Sequence, residues 1–289
     1  MTKKILVIIA TYNGMEWLPR CLGSVFSSTI KPDVFVCDNS STDGGADYIE
    51  KNFPEVHLVR SPKNLGFARA NNLGFRYALE NGYDFVYLLN QDAWVMEDTF
   101  EKILSAFDVD EWGLVSPLQM KPDLTTPDRR FIKHYHGPMN GTEEIQPVRF
   151  VMAAHWMISS ECLRGVGFFS PAFIHYGEDN NFCDRVRFHR FKVGVLPSAM
   201  AVHDRQARKR TIEQRVNLNC QYSRVRLSDP GASFIYHCIW QPIRLCIMAI
   251  LFLTILPIKH ISGLINDYTA LKRWRTISMR KGSFIKAIE

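Results

Sequence analysis

The feature that most restricts the fold is an alternation over the first hundred residues. Four apolar runs, in "KKILVIIATYNG", "PDVFVCDNSS", "VHLVRS" and "FVYLLNQD", are each closed by polar or turn-forming residues. A run apolar at consecutive positions suits a strand covered on both faces, because successive side chains point into opposite layers. Between the runs lie three segments with helical signals. "MEWLPRCLGSVFSS" places Trp17, Leu18, Leu22, Val25 and Phe26 at helical spacing. "TDGGADYIEKNF" opens after a glycine pair, and "GFARANNLGFRYALENG" is closed by Gly82. Strand, helix, strand, helix, strand, helix, strand predicts an α/β domain with a mostly parallel sheet and right-handed crossovers.

The later sequence is less regular. "WGLVSPLQM" predicts a strand, residues 121–147 a polar excursion, and "VRFVMAAHWMISSECLRGVG" a strand followed by a short helix. "NNFCDRVRFHRF" reads as an amphipathic helix with Phe182, Val186 and Phe188 turned inward, and "KVGVLPSAMAVHD" as a strand ending at His203. A change of character follows. His237, Gln241 and Arg244 share one helical face, whereas "LCIMAILFLTILPI", residues 245–258, is apolar except for Thr254. As one helix these fourteen residues measure about 21 Å, short of the ~30 Å hydrocarbon thickness. The expectation is an in-plane or re-entrant helix held at a membrane by Trp240, Trp274 and basic residues, with a core or oligomer-interface helix as the alternative. The domains expected are residues 1–215, and 216–289 as a helical, basic, membrane-associating extension.

With 289 residues, 46% hydrophobic and 22% charged, the chain can bury a core without staples. Its seven cysteines show no CxxC pair and no metal-type spacing, and they read as reduced thiols of a cytosolic protein without a signal peptide. The net charge of +6 is modest, but from Lys259 to Glu289 seven Lys or Arg face two acids. Beside an apolar helix, and without a recognised module, that excess points to an anionic membrane surface and away from nucleic acid.

In a parallel α/β sheet the ligand crevice lies beyond the carboxyl ends of the strands. Thr11-Tyr12-Asn13, Asp38-Asn39-Ser40 and Asn90-Gln91-Asp92 stand at such ends. The first turn is not GxGxxG, and no GxxxxGK[ST] phosphate loop occurs anywhere.

"IIATYNG", "VCDNSSTDGG", "NLGFARANNLGF", "YLLNQDAWV", "YGEDNNFCDRVR" and "VLPSAMAVHD", taken in order, resemble the successive motifs of the family 2 glycosyltransferases. The likeness is strongest to the bacterial branch with rhamnosyl- and galactofuranosyltransferases, and it covers Lys4 to about Asp204. The resemblance implies a GT-A fold, a nucleotide-diphosphate sugar donor, a divalent cation (Mg2+ or Mn2+) and inversion at the anomeric centre. By the same resemblance Thr11, Tyr12 and Asn13 form the turn against the nucleobase, and Asp38 accepts hydrogen bonds from the base. Arg69 flanks the sugar nucleotide. Asn90-Gln91-Asp92 occupies the place of the DXD motif, with Asp92 as metal ligand and Asn90 at the ribose or an outer-shell water. His203 completes the metal site. Asp179 is the base and Glu178 its orienting neighbour, with His175 as a further candidate, while Arg205 and Arg208 clamp the diphosphate.

These roles suit the chemistry. A departing diphosphate accumulates charge that a hard cation stabilises, and displacement with inversion needs one base for the acceptor hydroxyl. The function expected is transfer of a sugar, dTDP-rhamnose being the first donor considered, to a glycan or lipid-linked glycan at the inner face of the cell membrane. A nucleotidyltransferase and a non-catalytic nucleotide-sugar-binding protein are the alternatives. The former would carry a glycine-rich, lysine-bearing loop that "TYNGMEW" lacks.

Overall fold

The computed structural model describes residues 3–107, 112–139, 141–173, 176–205 and 211–286. The chain runs β1 (Ile5–Thr11), α1 (Leu18–Phe26), β2 (Asp33–Asp38), α2 (Gly45–Asn52), β3 (His57–Arg60), α3 (Gly66–Glu80), β4 (Phe85–Asn90) and β5 (Ala93–Val95). It continues through α4 (Thr99–Ala106), β6 (Trp112–Met120), β7 (Gln146–Pro147), β8 (His155–Ser159), α5 (Ser160–Val166), α6 (Glu178–Phe188) and β9 (Lys192–His203). Four helices close it: α7 (Ile212–Ser228), α8 (Phe234–Leu251), α9 (Leu256–Asn266) and α10 (Tyr268–Ser278).

One sheet holds all the strands in the order β3-β2-β1-β4-β8-β6-β9-β5, with β7 also paired to β9. The expected parallel block is present as β3-β2-β1-β4. Beyond β4 the sheet is mixed: β8 runs antiparallel to both β4 and β6, whereas β9 returns parallel to β6. Consecutive residues of β1 divide between two cores. Leu6 and Ile8 join Phe75, Trp156 and Phe182 on one face, while Ile5, Val7 and Ile9 join Leu22, Tyr87 and Phe100 on the other. That division is the reason the strands read as unbroken apolar runs.

A third cluster, with Val216, Cys220, Leu245, Met248, Leu264 and Leu271, holds α7 to α10 together. The boundary expected at 215/216 therefore falls inside α7, whose first turn begins with a capping box on Thr211. The C-terminal helices also rejoin the main core. Ser283 pairs with Gly167, and Phe284 is buried among the residues around Trp156. All seven cysteines are unpaired.

The apolar run 245–258 is not one helix. It breaks after Leu251, with Leu253 at φ 50°, before α9 begins. Pro257 explains the break, since its ring would collide with the carbonyl four residues earlier, that of Leu253, if α8 continued. Trp274 is half-buried, its ring tilted against Phe284. Phe188 is likewise only half-buried, whereas Phe182 and Val186 are fully inside.

Candidate active site

Strand register brings the polar strand ends to one edge. Thr11 pairs with Asp38, Asp38 with Arg60, and Ala10 with Asn90. The turns beyond are braced by their own side chains. Gln91 Oε1 accepts from Thr11 Oγ1 and from the Tyr12 amide, each at 2.8 Å. Asn13 Oδ1 accepts from the Thr42 amide at 2.9 Å, and the Asn13 amide donates to Ser41 Oγ. Gly14 leaves room for this bond: a Cβ would lie 2.5 Å from Gln91 Oε1, and the Gln91 side chain would have to shift. The side chains of Thr11, Asn13 and Gln91 thus serve to shape the crevice wall, whereas Tyr12 stands half-exposed at its rim.

Asp38 is buried at 3% exposure. Its Oδ2 accepts from the Ser41 amide at 3.1 Å, but Oδ1 has no partner. A buried acceptor without a donor costs free energy unless a ligand supplies one. Arg69 is exposed on α3.

Asp92 lies two residues past β4, in the turn to β5. β5 pairs antiparallel with the end of β9, Ala93 opposite His203, and this brings Asp92 Oδ1 within 3.4 Å of His203 Nε2. Burial opposes ionisation of Asp92, but the hydrogen bond and charge of His203, aided by Arg205, outweigh it and hold the carboxyl below its usual range. His203 is itself buried, and its Nδ1 has no partner. An oxygen and an imidazole nitrogen this close fit two ligands of one divalent ion. Among the described residues no group of three His, Cys, Asp or Glu could hold a metal. Asp92 and His203 would therefore leave most coordination positions to water or to ligand oxygens.

Glu178 and Asp179 open α6, behind Gly177 at φ 95°. A Cβ at Gly177 would meet Val225 of α7 at 2.8 Å, so the C-terminal helices pack directly on the turn that presents both acids. Glu178 is buried with Oε2 unpartnered, and desolvation followed by the charge of Asp179 pushes its carboxyl well up. Desolvation also raises Asp179, against the Asn180 amide and Arg205, which favour its charged form.

Arg205 is the cation whose charge reaches both Asp92 and Asp179. Its Nε lies 3.2 Å from the buried Asp128, and its guanidinium touches Met152 Sδ. The expected clamp is thus engaged within the protein. Asp128 is fixed in turn by accepting from the Arg130 and Phe131 amides at 2.8 Å. Arg208 and His175 fall outside the described residues.

Two contributors have no motif in the sequence. Asp128 sits in the polar excursion, where only the fold reveals that it holds Arg205. His155, fully buried on β8, bonds Tyr87 Oη through Nδ1 and the Val202 carbonyl through Nε2, each at 3.0 Å. The carbonyl can only accept, so Nε2 carries the proton and Tyr87 donates to Nδ1. Residue 202 is thereby tied down next to His203.

Residues 6–164 match the sequence model of the family described as glycosyl transferase family 2. An undecaprenyl-phosphate mannosyltransferase of Micrococcus luteus is 33% identical over 106 residues, 36% of this chain. That match spans only 44% of the relative's own length. The dTDP-rhamnosyl transferase RfbF of Shigella flexneri is 25% identical over 219 residues, 70% of each chain. Among solved structures, the mannosyltransferase PcManGT of Pyrobaculum calidifontis, in complex with GDP-Man and Mn2+, aligns with a TM-score of 0.62. It is 17% identical, and the alignment covers 96% of this chain and 86% of that one. The fold is GT-A, and with more than half of its length matched by the family model the chain belongs to glycosyl transferase family 2.

Proposed function

We propose that the protein transfers a sugar from a nucleotide-diphosphate donor to a hydroxyl of a glycan or lipid-linked glycan, with inversion, in the assembly of a bacterial surface polysaccharide. The observation that carries this reading is the 3.4 Å approach of Asp92 to His203 at the carboxyl edge of the sheet. It is the place where a donor diphosphate would lie in an α/β crevice. Asp38, with an unpaired oxygen, would receive the base, and Tyr12 would offer its ring to the nucleobase face. Asp92 and His203 would hold a divalent cation, Mg2+ or Mn2+, which when bound neutralises charge developing on the leaving diphosphate.

Asp179 takes the proton of the acceptor hydroxyl. Desolvation raises both adjacent acids; we assign the base role to Asp179, whose charged form the Asn180 amide and Arg205 favour, with Glu178 as its orienting neighbour. Arg205 favours the charged forms of both Asp92 and Asp179, and from that position it would also face the diphosphate. The RfbF likeness makes dTDP-rhamnose the first donor to test, and the mannosyltransferase likeness supports a polyprenyl-linked acceptor.

The test is a panel of dTDP-, UDP- and GDP-sugars with Mg2+ or Mn2+. It is read by nucleoside-diphosphate release and by the anomeric proton coupling of the product. Metal-dependent release with an inverted product is expected. Release that persists in chelator, or a retained anomer, would refute the corresponding part of the proposal.

A further inference from the structure

The C-terminal helices carry an apolar surface that the catalytic reading does not use. Along α8, Ile235, Ile239, Ile243, Ile247 and Leu251 recur every four residues and are 43% to 76% exposed. In the turn that follows, Leu253 is 92% exposed. Exposed aliphatics in such a row mark a surface that meets an apolar phase. The aromatic pair Tyr236 and Trp240 stacks beside the stripe with centroids 6.4 Å apart, the placement such rings take at a membrane interface.

By length and composition α8 could cross a bilayer, and only 22% of its apolar window is buried, but its other face is committed elsewhere. Gln241 is buried and bonds His237, and Arg244 bonds Gln241, the Asn219 carbonyl and Ser223 Oγ. Asn219 and Ser223 belong to α7, which also carries Glu213, Arg215, Arg224 and Arg226. A helix bearing those charges stays out of hydrocarbon, and α8 is held to it by the Arg244 bonds and by the packing of Leu245 and Met248 with Val216 and Cys220. The geometry therefore allows α8 to lie on a bilayer and not to span one.

The surroundings select the kind of surface. Lys272, Arg273, Thr276 and Arg280 line one groove on α10, and Lys259 is exposed on α9 beside Ile258. The one acid described from Phe234 to Lys286, Asp267, is paired with Arg224. Basic groups beside an aliphatic stripe match anionic headgroups above acyl chains. A second copy of the chain would bring like charges together.

We propose that the α8–α9 hairpin seats in the plane of an anionic bilayer, its Leu251–Ile255 turn entering deepest and the α10 groove meeting lipid phosphates. Because α7 packs on Gly177, the docked surface and the turn bearing Asp179 form one rigid piece, a geometry suited to an acceptor hydroxyl presented from the bilayer. That last clause rests on the proposed transfer reaction; the docking does not.

The test is flotation of the full chain with vesicles of phosphatidylcholine, alone or with about 30% phosphatidylglycerol, and without donor or acceptor. Flotation with the anionic vesicles only is expected. Ile250→Glu with Leu253→Glu, both at exposed positions, should lower bound protein roughly tenfold or more. Lys272→Gln with Arg273→Gln should remove most of the sensitivity to raising salt from about 0.1 to 0.5 M. A wild-type chain that stays unbound with anionic vesicles overturns the proposal, as does an unimpaired Ile250→Glu, Leu253→Glu variant. So does light scattering that shows the same substitutions dissolving a dimer while the wild type does not float. Since no transfer is measured, the docking and the reaction fail independently.

Discussion

Asp179 and Glu178 are neighbours in sequence, yet the fold surrounds them with different groups. Both are raised by desolvation, but Glu178 also faces the charge of Asp179, whereas Asp179 is relieved by an amide and by Arg205. A base works in its ionised form, so the rate should fall as pH drops through the raised pKa of Asp179, a limb displaced upward from the ordinary carboxylate range. Asp179→Asn should reduce kcat by about 10²-fold or more while leaving nucleotide affinity, read by calorimetry, unchanged; equal turnover would reject the assignment. His155 gives a stability counterpart. Burial depresses its pKa from 6.5 to about 3, so the folded state prefers the neutral ring. Its contribution is full above the unfolded value near 6.5 and declines as pH falls toward 3. Replacing His155 by Leu should abolish that one-proton slope in acid-unfolding curves. It should also cost about 1–3 kcal/mol, because Tyr87 Oη and the Val202 carbonyl lose their partner.

At the scale of elements, the strand-end turns and α8 show how local rules are completed at a distance. Pro242 lies inside α8 and cannot donate to the carbonyl four residues back, that of Cys238. Tyr268 of α10 supplies the missing donor, its Oη lying 2.5 Å from that oxygen. Tyr268→Phe should therefore destabilise the helical unit by about 1–3 kcal/mol, seen as a lowered Tm; an unchanged Tm would show that water serves equally well. α6 depends on Gly177 in a similar way. An alanine there meets both a left-handed backbone and Val225, so Gly177→Ala should cost about 1–3 kcal/mol and, by shifting the first turn of α6, lower kcat more than it changes nucleotide binding.

For the whole molecule, the C-terminal helices are joined to the catalytic core by more than a linker. Arg185 of α6 is fully buried without an acidic partner among its described contacts. Its guanidinium donates to Ser283 Oγ and to the carbonyls of Val166 and Phe168, and it lies over the rings of Phe182 and Phe284. Removing the chain from Phe234 onward would strip Ser283 and Phe284 from a buried cation. Such a truncation should be less stable by several kcal/mol, about 3 to 5, and it should expose the core around Trp156. A truncated protein that melts with the full chain would show that the tail contributes nothing. Membrane docking is for this reason tested with point variants in the full chain.

The alternation of apolar runs and helical segments was legible from periodicity because both faces of β1, β2 and β4 are covered, which leaves no polar residue inside the runs. The strand-end acids Asp38 and Asp92 were legible for the same reason, since polarity returns abruptly where the buried sheet stops. Pairing beyond β4 was not, because antiparallel β8 and two-residue β7 arise from long-range hydrogen bonds that impose no pattern on their own residues. Asp128 and His155 were hidden likewise: a lone acid in a polar loop and a lone histidine in an apolar strand gain roles only from partners far along the chain. By itself the sequence determined the parallel half of the sheet, the edge where polar groups gather and the apolar, basic character of the C-terminal region, all of them consequences of local solvent preference. The family resemblance already set Asp92 and His203 at one metal site; only the tertiary structure decided that the β5–β9 pair brings them together, that Gln91 and Asn13 brace turns, and that α8 is bound to a charged helix on one side, because each depends on contacts between segments that local preference cannot bring together.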